Sequence, residues 1–151
     1  MAFRGTYEHT VDGKGRVSLP AKHRRDLDEE VVVVPVPNAD FGRALYVFNE
    51  SDYDEWVESF FKSRNPEEDP GGFNQRSKAH IAMRRYLDAS AESIVIDSVG
   101  RVKLSASLME KVGIERDVCI VGQSDHVEIW DAGAYRAYMD SIDPFAAFLE
   151  D

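Results

Sequence analysis

Apolar and polar residues alternate along several short segments, and glycine, proline or acidic residues separate these segments. In the first half, alternation predicts strands in "TYEHTV" and "RVSLP", and the apolar segments "VVVVP" and "ALYVF" predict two more. Helical spacing predicts a short helix in "AKHRRDL" and an amphipathic helix in "ESDYDEWVESFFKSR", with Tyr53, Trp56, Val57 and Phe60 on its apolar face. The first half is therefore predicted as two strands, a short helix, two strands and a longer helix.

The same order of elements returns in the second half. When Asp12 is aligned with Asp97, six of the ten positions in 12–21 and 97–106 are identical. The segments "SIVID", "RVKLS", "DVCIVG" and "HVEIWD" predict strands, "ASLMEKVG" predicts a helix that ends at a glycine, and "AGAYRAYMDSI" predicts a closing helix. A unit of about fifty residues buries too little apolar surface to fold alone. We therefore expect the halves to interleave their strands in one compact β-rich α+β domain with pseudo-twofold symmetry.

The repeat divides the chain into four parts. Residues 3–50 form the first unit, and 51–90 hold connecting helices and the acidic linker "NPEEDPGGFN". Residues 91–142 form the second unit. Residues 143–151, "DPFAAFLED", are a C-terminal tail that either docks on a neighbour or trails. The connecting helix "QRSKAHIAMRRYLDAS" has four apolar positions: Ile81, Met83, Tyr86 and Leu87.

Charge is distributed unevenly along the chain. The formal net charge is -10, yet residues 1–25 hold six basic and two acidic residues, a balance of +4. The remaining residues hold 12 basic and 26 acidic residues, a balance of -14. Because phosphate contact depends on local charge, the basic segment is compatible with a nucleic-acid partner. The alternative is a solvated basic end with no partner.

The segment "VDGKGR" predicts a stiff loop before a strand. Alternation places Val17 on the core face and Arg16 outside, and Gly15 supplies a turn with positive φ. Asp12 is placed to accept hydrogen bonds from loop amides or to hold the Arg16 guanidinium, which leaves Lys14 at the tip. The loop either binds an external group or only stabilises the turn.

The second loop, "DSVGR", separates these two roles. It repeats the aspartate, glycine and arginine as Asp97, Gly100 and Arg101, but it has Val99 where the first loop has Lys14. We therefore expect the aspartate–arginine pair to be a shared scaffold and Lys14 to be a binding residue added to the first loop. Arg101 is then expected to contribute less to binding than Arg16.

Residues for catalysis or metal binding do not form a recognisable motif. The four histidines lack metal-ligand spacing, and the single cysteine, Cys119, lies in an apolar run that indicates a core position. We predict no enzyme activity, no metal and no cofactor. Charged residues near the N-terminus argue against a signal peptide, and no apolar run is long enough for a membrane span. We therefore expect a cytoplasmic protein without a membrane partner.

Three segments, "FRGTYEHTVDGKGRVSLPAKHR", "DSVGRVKLSASL" and "VGQSDHVEIWD", resemble the MraZ family of bacterial transcriptional regulators. The resemblance implies two AbrB-like swapped-hairpin units that form one barrel-like domain with peripheral helices, and a ring-shaped homo-oligomer. It also implies sequence-specific binding to direct repeats of double-stranded DNA upstream of the division and cell-wall gene cluster, and hence association with the nucleoid. An AbrB-like protein-interaction module of antitoxin type is the alternative.

The resemblance also assigns site residues. The residues that it implies contact DNA are Arg4, Lys14, Gly15, Arg16 and Arg101. The residues that form the loop scaffold are Asp12, Asp97 and Gly100.

Overall fold

The computed structural model describes residues 2–62 and 71–151. Its strands are β1 (Thr6–Thr10), β2 (Arg16–Ser18), β3 (Glu30–Val36), β4 (Ala44–Phe48), β5 (Glu92–Val95), β6 (Arg101–Lys103), β7 (Asp117–Gln123) and β8 (His126–Asp131). Its helices are α1 (Ala21–Arg24), α2 (Glu50–Ser59), α3 (Lys78–Ser90), α4 (Ala106–Val112), α5 (Ala132–Ser141) and α6 (Pro144–Glu150). The acidic part of the expected linker lies outside the described residues.

Both sheets contain strands from the two halves of the chain. Six strands form an antiparallel sheet in the order β1-β7-β8-β4-β3-β5, and β2 pairs with β6 in a separate two-stranded ribbon. Strands β1, β3 and β4 of the first half correspond to β5, β7 and β8 of the second. When each strand is exchanged for its counterpart, the order of the large sheet is simply reversed. The expected interleaving of strands is therefore present, and the protein is mixed α+β with a sheet-rich centre. The hydrogen-bonded order ends at β1 and β5, so barrel-like closure stays a prediction.

The main core lies between one face of the large sheet and the ribbon. Val17 of β2 and Val102 of β6 are fully buried there, together with Leu108 of α4. They pack against inward-facing residues of four strands of the large sheet: Val31, Val33, Leu45, Val47, Val118, Ile120, Val127 and Ile129. Since every other residue of a strand points to one face, this packing fixes the opposite face of the ribbon toward solvent.

The other face of the large sheet is covered by helices. Helices α2 and α3 pack over Val32, Val34 and Phe48, and α5 packs over a smaller cluster that includes Cys119 and Trp130. Coverage on both faces explains why β3 is a continuous valine run rather than an alternating segment. The prediction that Cys119 is a core residue is confirmed.

Two expectations for the helices differ from the structure, and one further helix was not predicted. Phe60, expected on the buried face of α2, is 42% exposed, and Phe61, four residues after the buried Val57, is buried instead. Met83 of α3 is 39% exposed, so the apolar face of that helix is narrower than the sequence indicated. The C-terminal tail contains the helix α6, which begins at Pro144 with the Asp143 carboxylate as its cap. None of the helices in the described ranges has the length and apolarity needed to cross a bilayer.

Candidate nucleic-acid interface

The first loop is built around the carboxylate of Asp12. One of its oxygens accepts hydrogen bonds from the backbone amides of Lys14 at 2.9 Å and Arg16 at 3.0 Å. The other accepts from Nε of Arg16 at 2.7 Å. Within residues 2–62 and 71–151, the structure gives the terminal amino groups of Arg16 no hydrogen bond. Asp12 therefore orients the arginine through Nε and leaves its outer edge available to a ligand.

The second loop repeats this arrangement. Oδ1 of Asp97 accepts from the amides of Val99 at 3.0 Å and Arg101 at 2.9 Å, and Oδ2 accepts from Nε of Arg101 at 2.8 Å. The side chains of Arg16 and Arg101 are each 31% exposed. By geometry the two arginines are equivalent, so the structure does not by itself separate a binding loop from a scaffold loop.

These hydrogen bonds keep both aspartates ionised. The amide of Arg16, followed by further hydrogen bonds and the arginine charge, lowers the pKa of Asp12 to about 2. The amide of Arg101 likewise lowers the pKa of Asp97 below its ordinary value. Each loop therefore holds an ion pair of fixed geometry at neutral pH.

A glycine before each arginine is required by the backbone. Gly15 has φ of +80° and Gly100 has φ of +84°, a region that side chains other than glycine rarely adopt. A Cβ on Gly15 would also lie 2.6 Å from the carbonyl oxygen of Leu104. The same two residues are joined by a hydrogen bond from the Leu104 amide to the Gly15 carbonyl at 2.7 Å. The predicted turn at Gly15 is confirmed, and Gly100 repeats its conformation.

The ribbon brings the two loops to one surface. Arg16 lies opposite Lys103, and Ser18 lies opposite Arg101, so these four side chains share the solvent-facing side of the ribbon. Arg16 and Arg101 are diagonal neighbours across the two strands, a relation that places residues about 7–8 Å apart. We call this surface, with Lys14 at its end, the basic ribbon face.

Two basic residues of this region were not singled out from the sequence. Lys103 follows Arg101 by two positions, so alternation alone could have placed it on the same face. Arg24 donates a hydrogen bond from Nη1 to the carbonyl of Val99 at 2.9 Å, across 75 positions of the chain. No local sequence pattern indicates that contact.

Arg4 is not brought to the basic ribbon face. It precedes β1, whereas the first loop follows β1, and the backbone at Arg4 packs against Gly122 at the far end of β7. Its predicted DNA contact would need a separate approach, and it stays a prediction. In the described ranges no group of three or more His, Cys, Asp or Glu side chains is arranged to hold a metal ion.

Comparison with protein families identifies the chain. Residues 2–70 and 88–148 match the family model described as "MraZ protein, putative antitoxin-like". The chain belongs to the MraZ family. Each matched range contains one of the two loops, so the MraZ match covers both copies of the aspartate–arginine motif.

Three MraZ relatives illustrate the similarity. A protein of Spiroplasma kunkelii is 30% identical over 93% of this chain and 89% of its own length. One of Caldanaerobacter subterraneus subsp. tengcongensis is 34% identical over 92% and 87%, and one of Kocuria rhizophila is 31% identical over 98% and 92%. All three are named "Transcriptional regulator MraZ".

Proposed function

We propose that this chain is a sequence-specific DNA-binding transcriptional regulator and that the basic ribbon face contacts the DNA. The observation that carries the proposal is the cross-strand placement of Arg16, Lys103 and Arg101 on one solvent-facing surface. The names of the MraZ relatives support the regulatory role. A two-stranded ribbon is also narrow enough to enter the major groove, which is about 12 Å wide.

The local charge suits this role despite the acidic chain. The two loops and the ribbon hold four basic residues (Lys14, Arg16, Arg101 and Lys103) and two acidic residues, Asp12 and Asp97. Arg24 of α1, which contacts the second loop, adds a fifth cation and makes the balance +3. Both acidic residues are engaged by loop amides and an arginine, which leaves the cations to face outward. Phosphate oxygens are the natural partners of such guanidinium and ammonium groups.

The finer parts of the proposal follow from the MraZ resemblance. We propose that the halves are two AbrB-like swapped-hairpin units, and the interleaved strand order is the feature that supports this. We further propose that several chains form a ring in the cytoplasm, at the nucleoid. The ring would bind direct repeats upstream of the chain's own division and cell-wall gene cluster. Multivalent contact of this kind raises affinity through effective concentration.

The test compares single-charge variants on DNA from upstream of the gene. Arg16→Ala and Arg101→Ala should each weaken binding strongly, because their loops have the same geometry. Arg85→Ala is the matched control, since Arg85 is exposed on α3, which covers the opposite face of the large sheet. Titration of arrays with several repeats and with one repeat tests multivalency, and light scattering of the free protein tests the ring. Equal binding by Arg16→Ala, Arg101→Ala and Arg85→Ala would refute the proposed surface.

A protein-interaction module of antitoxin type is the second candidate. The observation that favours it is helix α6, where Phe145, Phe148 and Leu149 are at least 80% exposed. The matched family description also includes the term antitoxin-like. A small toxin gene next to this gene would support this candidate. Methyltransferase and peptidoglycan genes downstream, together with promoter binding that survives removal of α6, would support the DNA-binding regulator.

A further inference from the structure

Arg24 belongs to the first half of the chain but lies on the loop of the second half. Its Nη1 donates to the Val99 carbonyl at 2.9 Å, and its guanidinium occupies the space that a Cβ on Gly100 would fill. Glycine at this position therefore serves the loop turn and also lets the arginine lie over the loop backbone.

The repeat places a different residue at the equivalent position of the first loop. The offset that aligns Asp12 with Asp97 aligns Arg24 with Met109. Cε of Met109 lies 3.9 Å from the position that a Cβ on Gly15 would take. Each half therefore places one side chain on the loop of the other half, and only the second loop receives a cation in this way.

The two loops differ at their tips and at the side chain that lies against their glycine, and these two differences are opposite in charge. The first loop carries Lys14 at its tip and an uncharged Met109 against its glycine. The second loop carries Val99, which is 61% exposed, and the charged Arg24 against its glycine. Each loop consequently holds its own motif arginine and one additional cation. In the first loop this cation is Lys14, from the same half of the chain, and in the second loop it is Arg24, from the other half.

Arg24 is not neutralised by its surroundings. In the described part of the chain it forms no salt bridge, and its Nε is buried without a hydrogen-bond partner. A guanidinium that holds a backbone carbonyl with one amino group has further donors for an anion. The neighbouring Arg101 is oriented through its Nε by Asp97.

We propose that Arg24 binds a DNA phosphate and positions the second loop. It supplies to the second loop the phosphate contact that Lys14 supplies to the first. The inference rests on the proposed function of the basic ribbon face. It predicts that both loops bind DNA with two cations each, so the second loop is more than a scaffold.

The experiment exchanges residues between the equivalent positions. Arg24→Met places in the second loop the residue that the first loop has, and Met109→Arg makes the reverse change. Binding to duplex from upstream of the gene is titrated between about 50 and 200 mM salt, where one phosphate contact changes the affinity ratio roughly 3.5-fold through a slope of ~0.9. Arg24→Met should lower the salt slope by about one unit, Met109→Arg should raise it by a similar amount, and Arg24→Lys should retain it.

The effect of Arg24 on the conformation of the second loop is tested in the same variants without DNA. The amides of Val99, Gly100 and Arg101 all bond to Asp97 in the wild-type loop. In Arg24→Met their hydrogen exchange should accelerate, while exchange in the first loop at Lys14 and Arg16 stays unchanged. Because a methionine already occupies the equivalent site, Arg24→Met should remain folded, which a thermal melt checks.

The outcomes separate the inference from the proposed function. If the wild-type chain does not bind the upstream duplex at any salt concentration, both are wrong. If the wild type binds and Arg24→Met keeps the wild-type slope, the inference is wrong and the proposed function stands. Unchanged exchange at Val99, Gly100 and Arg101 in Arg24→Met also overturns the inference, whatever the DNA result. If Arg24→Met does not fold, Met109→Arg decides. An unchanged salt slope in Met109→Arg shows that an arginine at the equivalent position of the first loop does not bind phosphate, and this result overturns the inference.

Discussion

Replacement of Gly15 by alanine tests whether the first loop has the backbone conformation described above. An alanine at φ of +80° costs roughly 1–2 kcal/mol relative to glycine. Its Cβ, 2.6 Å from the Leu104 carbonyl oxygen, would also push the two strands of the ribbon apart. That shift weakens the hydrogen bond from the Leu104 amide to the Gly15 carbonyl, worth about 1 kcal/mol.

Together these effects predict a loss of about 2–3 kcal/mol in the free energy of unfolding for Gly15→Ala. For a chain of this length such a loss lowers Tm by about 5–10 °C. Tm and denaturant midpoints are measured by circular dichroism at one protein concentration, because assembly would make Tm depend on concentration.

Two further glycine variants serve as comparisons. Gly13→Ala lies in the same loop with no atom near its added methyl group and no left-handed φ, so its stability should be unchanged or higher by up to about 1 kcal/mol. Gly100→Ala has the same backbone cost as Gly15→Ala, but it meets the movable Arg24 side chain instead of a carbonyl group. Its loss of stability should therefore be smaller. If Gly15→Ala has the same Tm as Gly13→Ala, the described loop conformation is wrong.

Three other predictions concern stability. Replacement of Leu108, which is buried in the main core, by alanine should lower the free energy of unfolding by about 2–5 kcal/mol, as measured by denaturant unfolding. Burial lowers the pKa of His23 below its ordinary value near 6.5, so the unfolded chain binds the proton more readily and stability falls as pH drops below ~6.5. His23→Phe should reduce this fall between pH 7.5 and 5.5, and an unchanged fall would contradict the assignment. The low pKa of Asp12 stabilises the folded state above about pH 4, and this contribution should be lost as pH falls toward about 2, so Asp12→Ala should melt closer to wild type in acid than at neutral pH.

Local patterns predicted most of the strands and helices because each pattern is set by which faces are buried. The predicted segments "ALYVF" and "HVEIWD" coincide with β4 and β8. The glycine predicted to end α4 is Gly113, which adopts the left-handed conformation at that position. The repeat also predicted that the halves would share strands, since neither half has enough apolar surface to fold alone.

The remaining features depend on contacts between distant parts of the chain. The approach of Arg24 to Val99 follows from the pairing of β2 with β6, and composition gives no sign of it. Phe61 is buried in place of Phe60, and it packs against Phe73 and His80, which come later in the chain. The expected division of labour between Arg16 and Arg101 was drawn from the tip residues alone. It therefore left out the cation that the first half supplies to the second loop.

The acidic character of the chain is compatible with the proposed DNA-facing ribbon because charges in salt solution act mainly at short range. The two loops, the ribbon and Arg24 together have a balance of +3, so the rest of a chain with net charge -10 carries -13. A domain of this length has a radius of gyration of about 15 Å, whereas the Debye length at physiological salt is about 8 Å. Acidic residues farther than a Debye length from the ribbon would therefore be largely screened from a phosphate bound there, whereas the cations of the loops and the ribbon would act on it directly. Repulsion between these more distant acidic residues and DNA should therefore increase as salt is lowered.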